Sequence, residues 1–459
     1  MSPDANGTRG EVPSLATLPG EAADRWWWVE RSVWTARMLE ALARGGPEGG
    51  RWYSLHDKVF STNTLRAAYA RVARNDGAPG VDGMRVEAFG ERLDEEITRL
   101  RAAWNDGTYR PQAVRRTWIP KPGTDEQRPL GIPTVRDRVV QTALQFVLEP
   151  IFEMGFHDRS YGFRHGRSAH DALHRAVTAI TAGHTVVVDV DLKAYFDRIP
   201  HARLLSLVRQ KVTDGRILSL IESFLTAPIQ DGTQVTRPET GTPQGGVISP
   251  LLANLYLDEL DHHMAQAGMT MIRYADDFVV MCRTKDEAER ALADVQRWPT
   301  AVGLTLHPTK TRLVDLTQAD SHVDFLGFRL RLTPPLDSNG RRRVIRDLRP
   351  KSHAHIKDTI RRLTPRQSGK GLGEVINDLN TSLRGISGYF RSAIKRRQRE
   401  LDEMTRRRLR SMLLRFRGIT RFGTGEANRT WTKAYFKRHG LFSLEAAHIE
   451  HTNAHRRAH

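Results

Sequence analysis

The chain has 459 residues, 39% apolar and 27% charged, with a net charge of +18. That is room for roughly two to four domains with a substantial core. A single cysteine, Cys282, excludes internal disulfides and multi-cysteine zinc sites. No run approaches the ~18 apolar residues of a membrane-spanning helix, and Met1–Thr8 lacks a basic segment leading into an apolar one, so neither a membrane partner nor a signal peptide is expected.

Residues 1–20 are rich in Pro, Gly and Ser/Thr and are expected to be disordered. Trp26-Trp-Trp28, Val29, Val33 and Trp34 then open an amphipathic segment running to about Ala43, which reads as a helix docked on its own protein in preference to an RNA-stacking surface. Between Thr62 and Arg110 helical patterns surround a Gly-rich loop at 77–83. Val114–Pro120 and Leu130–Ile132 read as strands of a hairpin with a turn-rich loop at 121–128. Apolar spacing predicts helices over Val135–Phe152 and Ala169–Ala182, a strand over 185–191, helices within 201–226, a hairpin region through Val235, and a helix from Pro250 to Ala267. A hairpin over 271–281, a helix from Lys285 to Trp298 and strands near 311–315 and 323–330 follow. This alternation implies an α+β sheet domain with helices on one face. Past Arg349 the pattern becomes mainly helical, clearest in Leu401–Phe416.

Charge is unevenly spread. From Arg341 onward there are 30 Lys and Arg against 10 Asp and Glu, whereas the first 340 residues hold 41 and 43. A near-neutral body with a strongly basic C-terminal quarter suits a polyanionic partner better than a merely solubilising surface.

Two segments carry the chemistry. Val186-Val-Val-Asp-Val-Asp191 runs an apolar strand into acid, and Tyr274-Ala-Asp-Asp277 places adjacent carboxylates at a hairpin turn. Three carboxylates from two strands are what a pair of divalent cations needs to activate a 3′-hydroxyl and hold a triphosphate in line. Asp189 shares its strand face with Asp191 at i, i+2, so periodicity alone does not separate them. Asp197 reads as a local cap or brace. Positive charge for phosphates is offered by Lys121 and Arg128, with Arg116 as a further candidate. Gly241-Thr-Pro-Gln-Gly-Gly-Val-Ile-Ser-Pro250 is a glycine-rich loop entering a helix, where Gln244 is placed to hydrogen-bond a nucleotide or template. Without Gly-Lys-Ser/Thr it is no Walker loop.

The chain resembles group II intron reverse transcriptases with a maturase domain. The resemblance lies in Asn75–Gly83, Ile119–Gly123, Arg128–Gln141, Ser160–Ser168, the Asp191 block, Thr242–Pro250, Tyr274–Asp277, Gly303–Lys310 and Phe325–Phe328, in order across roughly 62–330. It implies a right-hand polymerase: an N-terminal extension over 1–60, fingers over 61–184, palm over 185–335, a helical thumb over 336–415 and a C-terminal maturase region over 416–459, with intron contacts beginning near 380. It implies Asp191, Asp276 and Asp277 as catalytic acids holding two Mg²⁺ ions, and Lys121, Arg128, Phe196, Gln244 and Lys310 as contacts to dNTP substrates. Phe196 would be the gate against a ribose 2′-hydroxyl. Phe325, Leu326, Gly327 and Phe328 resemble the primer grip. Asn380–Phe390, the arginine-rich helices and Trp431–Phe436 resemble the intron-binding region, where Arg396, Arg397, Arg406, Arg407, Arg408 and Arg410 are the candidate RNA contacts.

The implied partners are group II intron RNA, an RNA template with DNA primer, and a DNA target; a homodimer is compatible with the sequence. The implied setting is the cytoplasm, at the nucleoid when DNA is the target. Cysteine-bearing HNH nuclease blocks of many relatives are missing, so second-strand cleavage is not expected. Rival readings are a domesticated reverse transcriptase in defence or CRISPR spacer acquisition, and a splicing-only RNA-binding maturase.

Overall fold

The computed structural model describes residues 26–47, 50–120, 126–336, 340, 342–367, 369–418 and 424–457. The expected disorder of residues 1–20 and the site residue Lys121 both lie outside these.

The fold is α+β, with eleven strands in three sheets among the described residues. The first sheet holds β1 (Val114–Pro120), β2 (Gln127–Ile132), β4 (Ile229–Asp231) and β5 (Gln234–Thr236) in the order β2-β1-β4-β5. The central sheet, ordered β6-β7-β3-β8, holds β3 (Val186–Asp191), β6 (Thr270–Tyr274), β7 (Asp277–Cys282) and β8 (Arg312–Asp315). The third is β11-β10-β9, from β9 (Val323–Phe325), β10 (Phe328–Leu332) and β11 (Val344–Leu348).

The central sheet is covered on both faces, which corrects the expectation of helices on one. Val186, Val188 and Val190 of β3 join one core with Phe278, Val280 and Cys282 of β7. Val187, Val279 and Met281 point the other way, into a second core shared with Phe325, Phe328 and helices of the C-terminal region. The apolar runs Val186–Val188 of β3 and Phe278–Cys282 of β7 are the signature of strands buried on both sides. On that second face Val187 is followed at i+2 and i+4 by Asp189 and Asp191, so the face that starts as core ends in carboxylates.

The helices begin where side chains can satisfy their free amides. Ser168 and Asp171 form a reciprocal capping box at Ala169–Thr181, and Thr134 and Thr284 cap Val135–Glu153 and Lys285–Ala301. Two local readings change. The strand expected over 323–330 is a tight hairpin, broken at Leu326 and Gly327, which both have positive φ. The tryptophan segment is a run of turns leading to a short helix at Ala36–Ala43. Trp26 and Trp34 are nevertheless buried, and the Trp34 indole donates to the Phe146 carbonyl at 2.8 Å. Docking is therefore what this cluster does, although Trp27 remains exposed. Among the described residues no helix is long and apolar enough to cross a membrane.

Candidate active site

Antiparallel pairing of β3 with β7 sets Asp191 directly opposite Asp277. Between β6 and β7, Ala275 adopts φ +58°, and this left-handed residue turns the chain so that Asp276 lies in the turn and Asp277 opens β7. Asp189, Asp191, Asp276 and Asp277 line one open cleft of about 390 Å³, with Lys310, Arg312, Asp324 and Arg349 on its other walls. Burial, reinforced by the neighbouring charges of Asp189 and Asp276, pushes Asp277 up to about 7. Asp276 is also raised, by burial and by Asp191, with the Arg128 guanidinium pulling the other way.

Two of these acids have partners, which corrects the picture of uncompensated charges. The segment following Leu304 runs alongside the end of β3: Lys193 N–H donates to the Thr305 carbonyl at 2.9 Å and His307 N–H to the Asp191 carbonyl at 2.8 Å. This brings Lys310 Nζ to 3.1 Å from Asp191. Arg312 on β8 reaches Asp189 at 3.1 Å, so Asp189 enters the cleft already paired. Asp276 and Asp277 have no ion pair of this kind among the described residues, and the pKa of each is raised by burial and then by a neighbouring carboxylate. Among the described residues no three His, Cys, Asp or Glu side chains already form a metal cage. The donor chemistry still fits a hard divalent ion, because the Asp276 and Asp277 carboxyls, held above their usual range by burial and then by neighbouring carboxylates, gain most from a cation.

A second cavity of about 280 Å³ is lined by Arg116, Pro129, Gly131, Asp197, Thr240, Thr242 and Gln244. Gly131 N–H donates to the Gln244 carbonyl at 2.6 Å, tying β2 to the glycine-rich loop. The lack of a side chain at Gly245 serves that contact: a Cβ there would lie 2.3 Å from the Gly131 carbonyl oxygen. The close approach expected for a ligand is thus used at Gly245 by protein backbone, while Gln244 lines the cavity. Arg128 is exposed on β2. Asp197 is exposed on the cavity rim, and its backbone carbonyl, not its carboxylate, accepts the Thr240 hydroxyl at 3.1 Å.

Phe196 is half-buried on the short helix Tyr195–Arg198, its ring edge-on to Tyr195 at 5.4 Å. Thr242 N–H donates to its carbonyl at 2.7 Å, joining it to the Gln244 loop. Phe325 and Phe328 are core residues, so only the turn between them can meet a ligand. Tyr389 donates to the Leu326 carbonyl at 3.1 Å, and the Leu326 amide helps hold charge on Asp277.

Comparison with known proteins settles the family. Residues 119–330 match the family described as reverse transcriptase (RNA-dependent DNA polymerase), and residues 353–431 match the group II intron, maturase-specific domain. Group II intron-encoded protein LtrA of Lactococcus lactis subsp. cremoris is 40% identical over 243 residues, covering 52% of this chain and 40% of that protein. Protein YkfC of Escherichia coli (strain K12) is 41% identical over 291 residues, covering 55% of this chain and 75% of that protein. The chain belongs to the group II intron-encoded reverse transcriptase/maturase family. It spans only two fifths of LtrA. Among solved structures, a chain of a partial Cas6-RT-Cas1–Cas2 complex is 25% identical with a TM-score of 0.35 over 54% of this chain and 41% of that one, a likeness too loose to define a shared fold.

In this family member the arginines read as RNA contacts divide into two groups. Arg397 is bound to Asp347 at 2.7 Å and to Glu400 at 3.0 Å. Arg408 donates to the Thr364 hydroxyl and carbonyl at 3.1 and 2.5 Å, and Arg410 to the Trp431 carbonyl at 2.8 Å. Those three brace the helical region from within. Arg396 and Arg407 are exposed and Arg406 is half-exposed. Trp431 is buried, while Tyr389 remains partly open. Sequence reading missed Arg273, Asn254 and Asp261, buried polar residues directly beneath the acidic turn. The available signal was a lone charge inside the otherwise apolar β6.

Proposed function

We propose that this chain is an RNA-directed DNA polymerase that also holds its intron RNA to assist splicing and retrohoming into DNA. The single observation that carries the reading is the strand register that sets Asp191 opposite Asp277, with Asp276 at the adjoining turn, in one open cleft. In this reading residues 61–184 are the fingers, 185–335 the palm, 336–415 the thumb and 416–459 the maturase region, with intron contacts from near 380.

Asp191 and Asp276 would hold two Mg²⁺ ions, with Asp277 completing or orienting the set. When bound, the ions supply a lowered pKa for the primer 3′-hydroxyl and counter-charge for the departing pyrophosphate. Lys310 exchanges its contact with Asp191 for a phosphate oxygen as the nucleotide enters. Arg128 and Lys121 would supply positive charge to the triphosphate, and Gln244 would contact the nucleotide or template. The turn at Leu326 and Gly327 braces the primer end.

The test is extension of a DNA primer on an RNA template with dNTPs and Mg²⁺. Extension that is silenced by EDTA is expected. Failure to extend on any template would sink the reading, and a preference for ribonucleotides would reassign it.

The intron-binding half has its own test. Replacing exposed Arg396 and Arg407 with Gln should weaken binding to folded intron RNA and lower the slope of log affinity against log salt by about one for each phosphate no longer neutralised. No change in affinity or slope would remove this surface from the proposal.

A further inference from the structure

We infer that Arg273 is a positioning residue for the acidic turn: its guanidinium ties the Ala275 carbonyl to the helix Ser249–Gln266 and so fixes the direction in which Asp276 and Asp277 enter the cleft. This rests on the reading of that turn as the catalytic centre.

Arg273 is wholly buried although it sits in β6, whose neighbours Met271 and Ile272 are core. Its Nε donates to both Asp261 oxygens at 2.9 and 3.0 Å, and one terminal nitrogen also meets Asp261. The other terminal nitrogen donates to Asn254 Oδ1 at 3.0 Å and to the Ala275 carbonyl at 2.9 Å. Asn254 and Asp261 lie two turns apart on one helix face, so a single planar fork spans both and still reaches the turn.

The turn is also held from its other side. Asn254 donates onward to the Gly162 carbonyl at 2.7 Å. Tyr161 N–H donates to the Arg273 carbonyl, and Arg273 N–H to the Arg159 carbonyl, each at 2.9 Å. A Cβ on Gly162 would lie 2.3 Å from Ala275 N, so only glycine lets this loop press against the turn. Ala275 itself has the left-handed φ that an L-residue adopts at a cost.

Burying an ion pair is poor stability logic, since apolar residues of like volume often serve as well. What an apolar residue cannot do here is hold a carbonyl of the turn. The arrangement resembles the outer partners of metal ligands, which orient acids without touching substrate.

The test uses the full chain and two variants. Arg273→Lys keeps a charge beside Asp261, but an ammonium lacks the fork needed to reach Ala275 as well. Gly162→Ala crowds the turn while leaving Arg273 and Asp261 intact. In each variant kcat for primer extension should fall ~10–100-fold, with little change in KM for dNTP and a higher Mg²⁺ requirement. Amide exchange should quicken selectively at residues 274–278. Wild-type kcat and Mg²⁺ response in either folded variant would overturn the inference, as would a loss that merely tracks the unfolded fraction. If the wild-type chain extends no primer, the proposed function fails by itself. Exchange at 274–278 then still judges Arg273, and unchanged exchange in both variants would overturn its role.

Discussion

Asp276→Asn should remove RNA-templated primer extension while leaving intron-RNA binding in place. Charge stabilisation of a phosphoryl transition state by a bound metal is worth several kcal/mol, and at ~1.4 kcal/mol per tenfold the expected loss is roughly 10³-fold or more. The sign on stability is the opposite. Asp276 has a folded-state pKa raised by burial and by Asp191, so at neutral pH its ionised form weakens the metal-free fold. A neutral amide of the same shape removes that cost. The metal-free variant should therefore melt at or above the wild-type temperature, yet lose the Mg²⁺-dependent rise in melting temperature expected of a ligand that binds only the folded state. Primer extension, RNA binding and melting with and without Mg²⁺ read the three effects separately. Equal loss of RNA binding and extension would make the acid structural and end the catalytic assignment.

The strands that carry these acids were readable because the Val run of β3 leads into Asp189 and Asp191, and the Phe-Val-Val-Met run of β7 follows Asp277. Their register was not, because a strand's period is two and Asp189 fits it as well as Asp191 does. Pairing across 86 residues puts Asp191 opposite Asp277, while Arg312 takes Asp189. Lys310 illustrates the same gap. Its contact with Asp191 depends on Thr305 and His307 bonding along the end of β3, a long-range event that no local spacing encodes. Three adjacent tryptophans are equivalent by composition, yet Trp26 is buried and Trp27 exposed, since tertiary packing decides which ring finds a partner. The arginine-rich helix misleads in the same way: helical spacing assigns charges to solvent, but Asp347, Thr364 and the Trp431 carbonyl draw Arg397, Arg408 and Arg410 inward. Arg273 is the reverse case, a charge in a strand whose context argued for an apolar residue.

Phe196→Ala tests the other half of the chemistry, the choice of sugar. Phe196 stands five residues beyond Asp191 on a short helix that Ala194 enters with φ +49°. Its backbone carbonyl is bonded to Thr242 and its ring is backed by buried Tyr195, whose hydroxyl donates to the Ala253 carbonyl at 2.6 Å. With its backbone tied and its ring packed edge-on against Tyr195, Phe196 would reject ribonucleotides by a clash with the 2′-hydroxyl, a repulsive element that leaves dNTP contacts alone. Removing the ring should raise ribonucleotide incorporation relative to dNTP by about 10–200-fold, the range set by small steric differences in an enzyme pocket. Destabilisation should stay below the ~3–5 kcal/mol of a fully buried Phe, since this ring is only half covered. The decisive measurement is the ratio of kcat/KM for matched dNTP and rNTP in wild type and variant. A fall in that ratio with dNTP turnover largely kept assigns the gate to Phe196; an unchanged ratio places sugar selection elsewhere in the cleft.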